Sequence, residues 1–193
     1  MICFVAGTFA KVPVTGNKIR LTDNWEFLRQ DVGNIWELVR PIKKGQPEEQ
    51  PIWTKVTLPH CFNAEDAVDP DLNYYQGPGW YKTRLKLDNP YPDGRMVLEF
   101  EGAGQKTDVY VYMTKVGSHV GGYDSWNVDI TDAVRAFLAS KDAERFGGEI
   151  PLSIRCDNTR DAEMIPSDCS VTGTKDPPSK GSWRKTASFS LLR

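Results

Sequence analysis

Apolar and polar residues alternate with a period of two along much of the chain, the pattern of half-buried strands whose successive side chains point to opposite faces. In Trp80–Leu87, Tyr81, Thr83, Leu85 and Leu87 fall on a core face, while Lys82, Arg84 and Lys86 face water. Arg95–Glu101 repeats the pattern with Met96, Leu98 and Phe100 inward, and Asp108–Met113 and Trp126–Ile130 alternate in the same way. Ile150, Leu152, Ile154 and Cys156 share one face of a further strand, and Ile52, Thr54, Val56 and Leu58 predict an earlier one. Turn residues separate these runs at Asp88–Gly94, Gly102–Gly104 and Gly121–Gly122. One short helix is expected after Ile130: Thr131 can cap it, Asp132 suits the positive end of its dipole, and Val134, Phe137 and Leu138 form its apolar stripe. Short strands at near-regular spacing predict an all-β antiparallel sandwich or barrel. Residues 40–51 read as a polar, proline-rich surface loop and 170–186 as a mobile stretch. Ala187–Leu192 reads as a short edge strand.

A length of 193 residues fits one domain. Charged residues make up 26% and apolar residues 39%, the balance of an ordinary globular protein. A net charge of −2 argues against a nucleic-acid partner, which calls for a basic stripe. No apolar run approaches the ~18 residues of a membrane span. Met1–Ala10 is mildly apolar but lacks the basic n-region of a signal peptide. It reads as an absent or damaged signal and leaves localisation open between cytoplasm and export. The cysteines Cys3, Cys61, Cys156 and Cys169 lack the paired short spacing of a zinc site, so neither a metal nor a cofactor is expected. They read as small apolar residues, with a Cys156–Cys169 disulfide left open.

Four segments carry more specific information. They are Asp23–Phe27, with Trp25 and Phe27 as anchors; Val56–Asn63, with the pattern L-P-H-x-F-N; Tyr74–Tyr81, with the pattern G-x-G-W-Y; and a long ordered block. That block comprises Phe100–Ala103, Val109–Val111, Val116–Tyr123 and Val128–Thr131. In this order they resemble the N-terminal sugar-binding domain of glycoside hydrolase family 2, the family of β-galactosidases and β-glucuronidases. The resemblance covers residues 19–168, leaving 1–18 as an N-terminal extension and 169–193 as a diverged or altered tail. It implies a jelly-roll β-sandwich of the galactose-binding type.

The resemblance also assigns chemistry. A retaining glycosidase needs two carboxylates about 5–5.5 Å apart, and the family carries its catalytic glutamates on a separate (β/α)₈ barrel. Such a barrel typically takes ~250 residues and an alternating strand–helix pattern that this sequence does not show. The chain alone is therefore expected to be inactive, with the barrel and further sandwich domains as partners and a β-glycoside as ligand. In the family an acidic residue near the end of this domain bonds substrate hydroxyls; the match is Asp168, whose carboxylate could accept two sugar O–H bonds. The plain alternative is a loop aspartate that turns the chain. Gln76 stands where some β-galactosidases present an asparagine, and an amide both donates and accepts. His60 and His119 are expected to hydrogen-bond loop backbone. Among Tyr74, Tyr75, Trp80, Tyr123 and Trp126, which could stack on sugar rings, Trp80 and Trp126 are expected in the core. Gly121–Gly122 is expected to allow a close approach of two segments.

Two departures stand out. Tyr112–Met113 occupies the place of the family's Asn-Gly hairpin, so the turn is expected to differ, with its tip at Thr114–Lys115. Beyond Asp168, Cys169–Trp183 matches nothing in the family, which suggests a missing strand and an exposed sheet edge. A free-standing carbohydrate-binding module and a purely structural sandwich remain the other readings, because fold alone does not choose among them.

Overall fold

The computed structural model describes residues 18–40, 51–87, 93–122 and 124–159, and the backbone alone of 188–192. The strands are β1 (Lys18–Arg20), β2 (Trp25–Leu28), β3 (Thr54–Val56), β4 (Pro78–Leu85), β5 (Val97–Gly102), β6 (Lys106–Val111), β7 (Thr114–Val120), β8 (Trp126–Asp129), β9 (Ile150–Asp157) and β10 (Ser188–Leu192). They form a six-stranded sheet ordered β3-β2-β4-β9-β6-β7 and a four-stranded sheet ordered β1-β10-β5-β8. Every pairing is antiparallel. The expected all-β sandwich is what the chain forms.

Its core is the meeting of the alternating faces. Phe27, Tyr81 and Leu85 from β2 and β4 pack with Val109, Val111, Leu152, Ile154 and Cys156 of the larger sheet and with Leu98, Phe100 and Val128 of the smaller. Tyr81, Leu98, Phe100, Val109, Leu152 and Ile154 are fully buried, as the alternation predicts. The segment after β8 closes one end, where helix α2 (Thr131–Leu138) lays Val134 and Phe137 on the core.

Several local expectations are corrected. The described residues contain three short helical segments rather than one: α1 (Trp36–Val39), α2 and α3 (Asp142–Arg145). Thr131 does not cap α2, because Ile130 holds the cap position. The Thr131 hydroxyl instead donates to Asp129 Oδ1 at 2.5 Å and accepts the Met96 amide at 2.8 Å, tying the helix start to the end of β8 and to the residue before β5. Leu138 is 47% exposed and takes no part in the stripe. The early strand shrinks to β3, with Ile52 exposed and Leu58 buried beyond it.

The hairpin tip is Tyr112–Met113, since Val111 pairs with Thr114. Tyr112 adopts φ +54°, a region that bulky side chains resist. Tertiary contacts hold it there: its amide donates to Pro151 O at 2.7 Å, and its ring lies 5.1 Å from Phe137 and 5.8 Å from Phe146. β10 lies between β1 and β5 inside the smaller sheet, not at an edge, and occupies the place where a strand was expected to be missing. The proline-rich loop, apart from its flanking residues Arg40 and Pro51, the 170–186 stretch, Cys3 and Cys169 lie outside the described residues. Cys61 and Cys156 are free thiols.

Candidate functional site

The turn pattern L-P-H-x-F-N and the strand pattern G-x-G-W-Y are two halves of one packing unit. Gly79 points toward the core side of β4, where a Cβ would meet the Phe62 ring at 2.6 Å and the Phe27 ring at 2.8 Å. Its missing side chain is the space into which Phe62 fits. Phe27, His60, Phe62 and Tyr81 then form one aromatic cluster, with centroid separations from 4.7 to 5.8 Å. His60 Nδ1 pairs with the Tyr81 hydroxyl at 2.8 Å, and burial pushes the pKa of His60 down. The histidine is structural, as expected, but its partner is a side chain rather than loop backbone.

Behind this cluster lies a buried polar network that sequence reasoning missed. Asp66, with a side chain only 1% exposed, accepts through Oδ2 from the Tyr75 amide (2.8 Å), Asn63 Nδ2 (2.9 Å) and Arg29 Nη1 (3.2 Å). Burial alone would raise the Asp66 pKa. The Tyr75 amide, the Asn63 side chain, its own amide and the Arg29 charge outweigh that and hold it below its ordinary value. Asn63 Nδ2 also donates to Tyr75 O at 2.9 Å. Asn158, just past the end of β9, donates from Nδ2 to Asn63 Oδ1 (2.8 Å) and Tyr75 O (3.1 Å). Its Oδ1 accepts the Gly77 amide at 2.8 Å, and its own amide donates to Gly77 O at 3.2 Å. The Tyr75 hydroxyl closes the loop by donating to Pro78 O at 2.7 Å.

Gln76 sits at the centre of this arrangement. Its neighbours Tyr75 and Gly77 have their backbone groups pinned, while Gln76 itself is exposed. Gly77 has φ +151°, and a Cβ there would stand 3.0 Å from the Tyr75 hydroxyl, so the loop shape requires glycine. The fold therefore offers the Gln76 amide to solvent from a fixed base. Asp168, the other expected contact, lies outside the described residues. Asn63 closed the turn motif in the sequence; Asp66 lies three residues beyond it but outside any motif, and Asn158 carried no signal because its partners are 81 to 95 positions away.

A charged cluster adjoins this loop on the outer face of the larger sheet. Arg155 Nη2 bonds Asp31 Oδ2 at 3.0 Å and Asp157 Oδ2 at 3.5 Å, and Asp31 Oδ1 accepts from Trp80 Nε1 at 3.2 Å. Trp80 is buried, as expected, but not in the sandwich core. It lies on the face opposite Tyr81, flanked by Asp31 and by Tyr110 at 5.7 Å. Burial would raise Asp31, but Arg155, Trp80 and the Gly33 amide bring its pKa below the ordinary value.

Across the two sheets, Phe100 and Trp126 of the smaller and His119 of the larger stack in sequence, at 4.1 Å and 4.7 Å. His119 Nε2 pairs with Asp124 at 3.1 Å, again a side-chain partner. The Gly121 amide donates to Gln105 O at 2.8 Å and a Cβ on Gly122 would lie 3.8 Å from Gly104 O, so two backbone segments do approach here, while a Cβ on Gly121 would also meet the side chains of Asp124 and His119 at 2.5 and 2.9 Å. Tyr123 lies outside the described residues.

Chemically this arrangement suits hydrogen bonding more than bond cleavage. A glycosidase acid needs a carboxyl pKa raised toward neutrality. Among the described residues, the carboxyl groups whose ionisation is displaced, Asp31, Asp66, Asp124 and Asp129, all move down. No group of three His, Cys, Asp or Glu among the described residues is placed to hold a metal.

The class that the fold defines is an antiparallel β-sandwich presenting a polar loop pinned at its base. Residues 23–140 match the family described as "Glycosyl hydrolases family 2, sugar binding domain", and the chain belongs to that family. A β-glucuronidase of Parabacteroides merdae, solved by crystallography, is 66% identical, with a TM-score of 0.78 over 92% of this chain and 21% of its own. Bacteroides uniformis β-glucuronidase 3 is 58% identical, with a TM-score of 0.78 over 92% of this chain and 22% of its own. A protein from Formosa agariphila is 31% identical over 150 residues, which is 78% of this chain and 16% of that protein. The chain thus corresponds to about a fifth or less of the relatives it matches. The part of the family to which it corresponds is the sugar-binding domain.

Proposed function

We propose that this chain is the sugar-binding domain of a β-glucuronidase, resting against a catalytic barrel and lending Gln76 and Asp168 to the glycoside site. The carrying observation is the 66% identity with the P. merdae β-glucuronidase across 92% of the chain. The pinned loop supports it, because an exposed amide held on a bonded backbone recognises a hydroxyl without first being ordered. In this reading the working unit runs from residue 19 to residue 168, and Ser188–Leu192 completes its smaller sheet. A free-standing carbohydrate-binding module is less well supported: Trp80 and Trp126, which could have stacked on sugar, are committed to packing.

The test exchanges this chain for the matching domain of the P. merdae enzyme and follows hydrolysis of nitrophenyl β-glucuronide. Asp168→Asn should lower kcat/KM by about 10- to 100-fold and Gln76→Ala by about tenfold, the worth of charged and neutral hydrogen bonds respectively. An active exchange enzyme in which both variants match the parent would rule the reading out. The chain by itself should not turn over nitrophenyl glycosides, and steady hydrolysis by the pure chain would defeat the proposal equally.

A further inference from the structure

Resting on the sugar-binding reading of Gln76, we propose that Asn158 is a positioning residue. Its side chain locks the backbone on both sides of Gln76, so the end of β9 also sets the aim of the Gln76 amide.

The β4–β9 ladder ends at the pair Pro78–Asp157. Asn158 continues the pairing one step further by exchanging bonds with Gly77, its amide donating to Gly77 O at 3.2 Å and its side-chain oxygen receiving the Gly77 amide at 2.8 Å. The side-chain nitrogen reaches past Gln76 to Tyr75 O at 3.1 Å and to Asn63 Oδ1 at 2.8 Å. One side chain therefore grips the residue before Gln76 and the residue after it.

Asparagine is the residue these bonds demand. It supplies one acceptor and two donors in a single short plane, and all are used here at a site only 6% exposed. An aspartate would keep the acceptor for Gly77 but turn oxygen against Tyr75 O and Asn63 Oδ1. A leucine would keep the volume and lose every side-chain bond. The grip is not needed to hold the sheet, which has its own ladder. Its effect falls on a loop whose only unpinned member among Tyr75, Gln76 and Gly77 is the exposed one.

The test has two arms. In the 193-residue chain, amide exchange at Gly77 should speed up by about tenfold in Asn158→Ala, the worth of one net hydrogen bond, while Asn158→Asp keeps Gly77 protected. In the domain-exchanged glucuronidase, Asn158→Ala should raise KM about as much as Gln76→Ala does, with kcat near the parent. The double variant should be no worse than the poorer single one, because both remove the same contact. Thr159→Ala, at an exposed residue whose backbone amide, rather than its side chain, bonds Asp157, should leave exchange and KM unchanged.

Unchanged Gly77 exchange in Asn158→Ala overturns the proposal. So do effects of the two substitutions on KM that multiply, or an unchanged KM in Asn158→Ala beside a raised one in Gln76→Ala. If Gln76→Ala leaves KM at the parent value while Gly77 exchange still accelerates, the clamp exists but the sugar-binding reading of Gln76 has failed. That outcome separates the two claims and removes the positioning role.

Discussion

Replacing Asp66 by alanine removes the acceptor at the centre of the buried network, and the structure allows its cost to be worked out. Oδ2 carries all three bonds, from Tyr75 N–H, Asn63 Nδ2 and Arg29, while Oδ1 is buried with no partner among the described residues. Asn63 keeps its bond to Tyr75 O, and Arg29, 43% exposed, can turn to water. The loss that nothing offsets is the Tyr75 amide, a donor left without a partner, worth about 1–3 kcal/mol. Adding a small term for the emptied space gives about 2–4 kcal/mol. At about 2–4 °C per kcal/mol for a domain of this size, the melting temperature should fall by roughly 5–15 °C.

Asp66→Asn is the discriminating partner variant. With its oxygen in the Oδ2 place it keeps all three bonds, loses the charge and leaves a buried amide nitrogen where Oδ1 has no partner among the described residues. It should cost about 1–2 kcal/mol at neutral pH. The pH dependence has a definite sign. The folded pKa of Asp66 lies below its unfolded value, so its contribution is present above about pH 3.9 and is lost as pH falls through the folded value. Asp66→Asn should therefore flatten the acid limb of the stability curve. The assay is thermal unfolding followed by circular dichroism between pH 2.5 and pH 7, each variant beside its parent. If Asp66→Ala melts within about 2 °C of the parent, or if Asp66→Asn is as damaging as the alanine, the network does not carry the weight assigned to it.

Two further expectations concern the aromatic cluster. Burial lowers the His60 pKa below its unfolded value, so stability is complete above about pH 6.5 and declines as pH drops below that, where the unfolded chain takes up the proton more readily. His60→Phe should remove that slope, as urea midpoints at pH 5 and pH 7.5 would show, and an undiminished slope would assign it to another group. Gly79→Ala places a methyl 2.6 Å from the Phe62 ring and should destabilise by about 1–3 kcal/mol through overpacking. Combining it with Phe62→Leu should recover part of the loss, and a variant as stable as the parent would show that the rings yield freely.

What the sequence determined by itself is the local part of the design. Alternation marks a residue's face whatever the rest of the chain does, so Leu98, Phe100, Leu152 and Ile154 were readable as core residues, and the motifs placed Gln76 on a loop beside β4. Tertiary structure decided whatever depends on what lies across a gap in the chain. Trp80 alternates onto the outer face and is buried there beside Tyr110 of β6 and Asp31, from the segment after β2, which accepts from its indole. Tyr112 turns the hairpin against its own backbone preference because Phe137, Phe146 and Pro151 hold it. Asn158 bonds residues 81 and 95 positions away, and no periodicity announces such a partner. Side-chain direction along a strand is a property of the backbone repeat, whereas the partner of a buried polar group is a property of the assembled sheets. That is why the sandwich was legible in the sequence and the clamp beneath its candidate sugar contact was not.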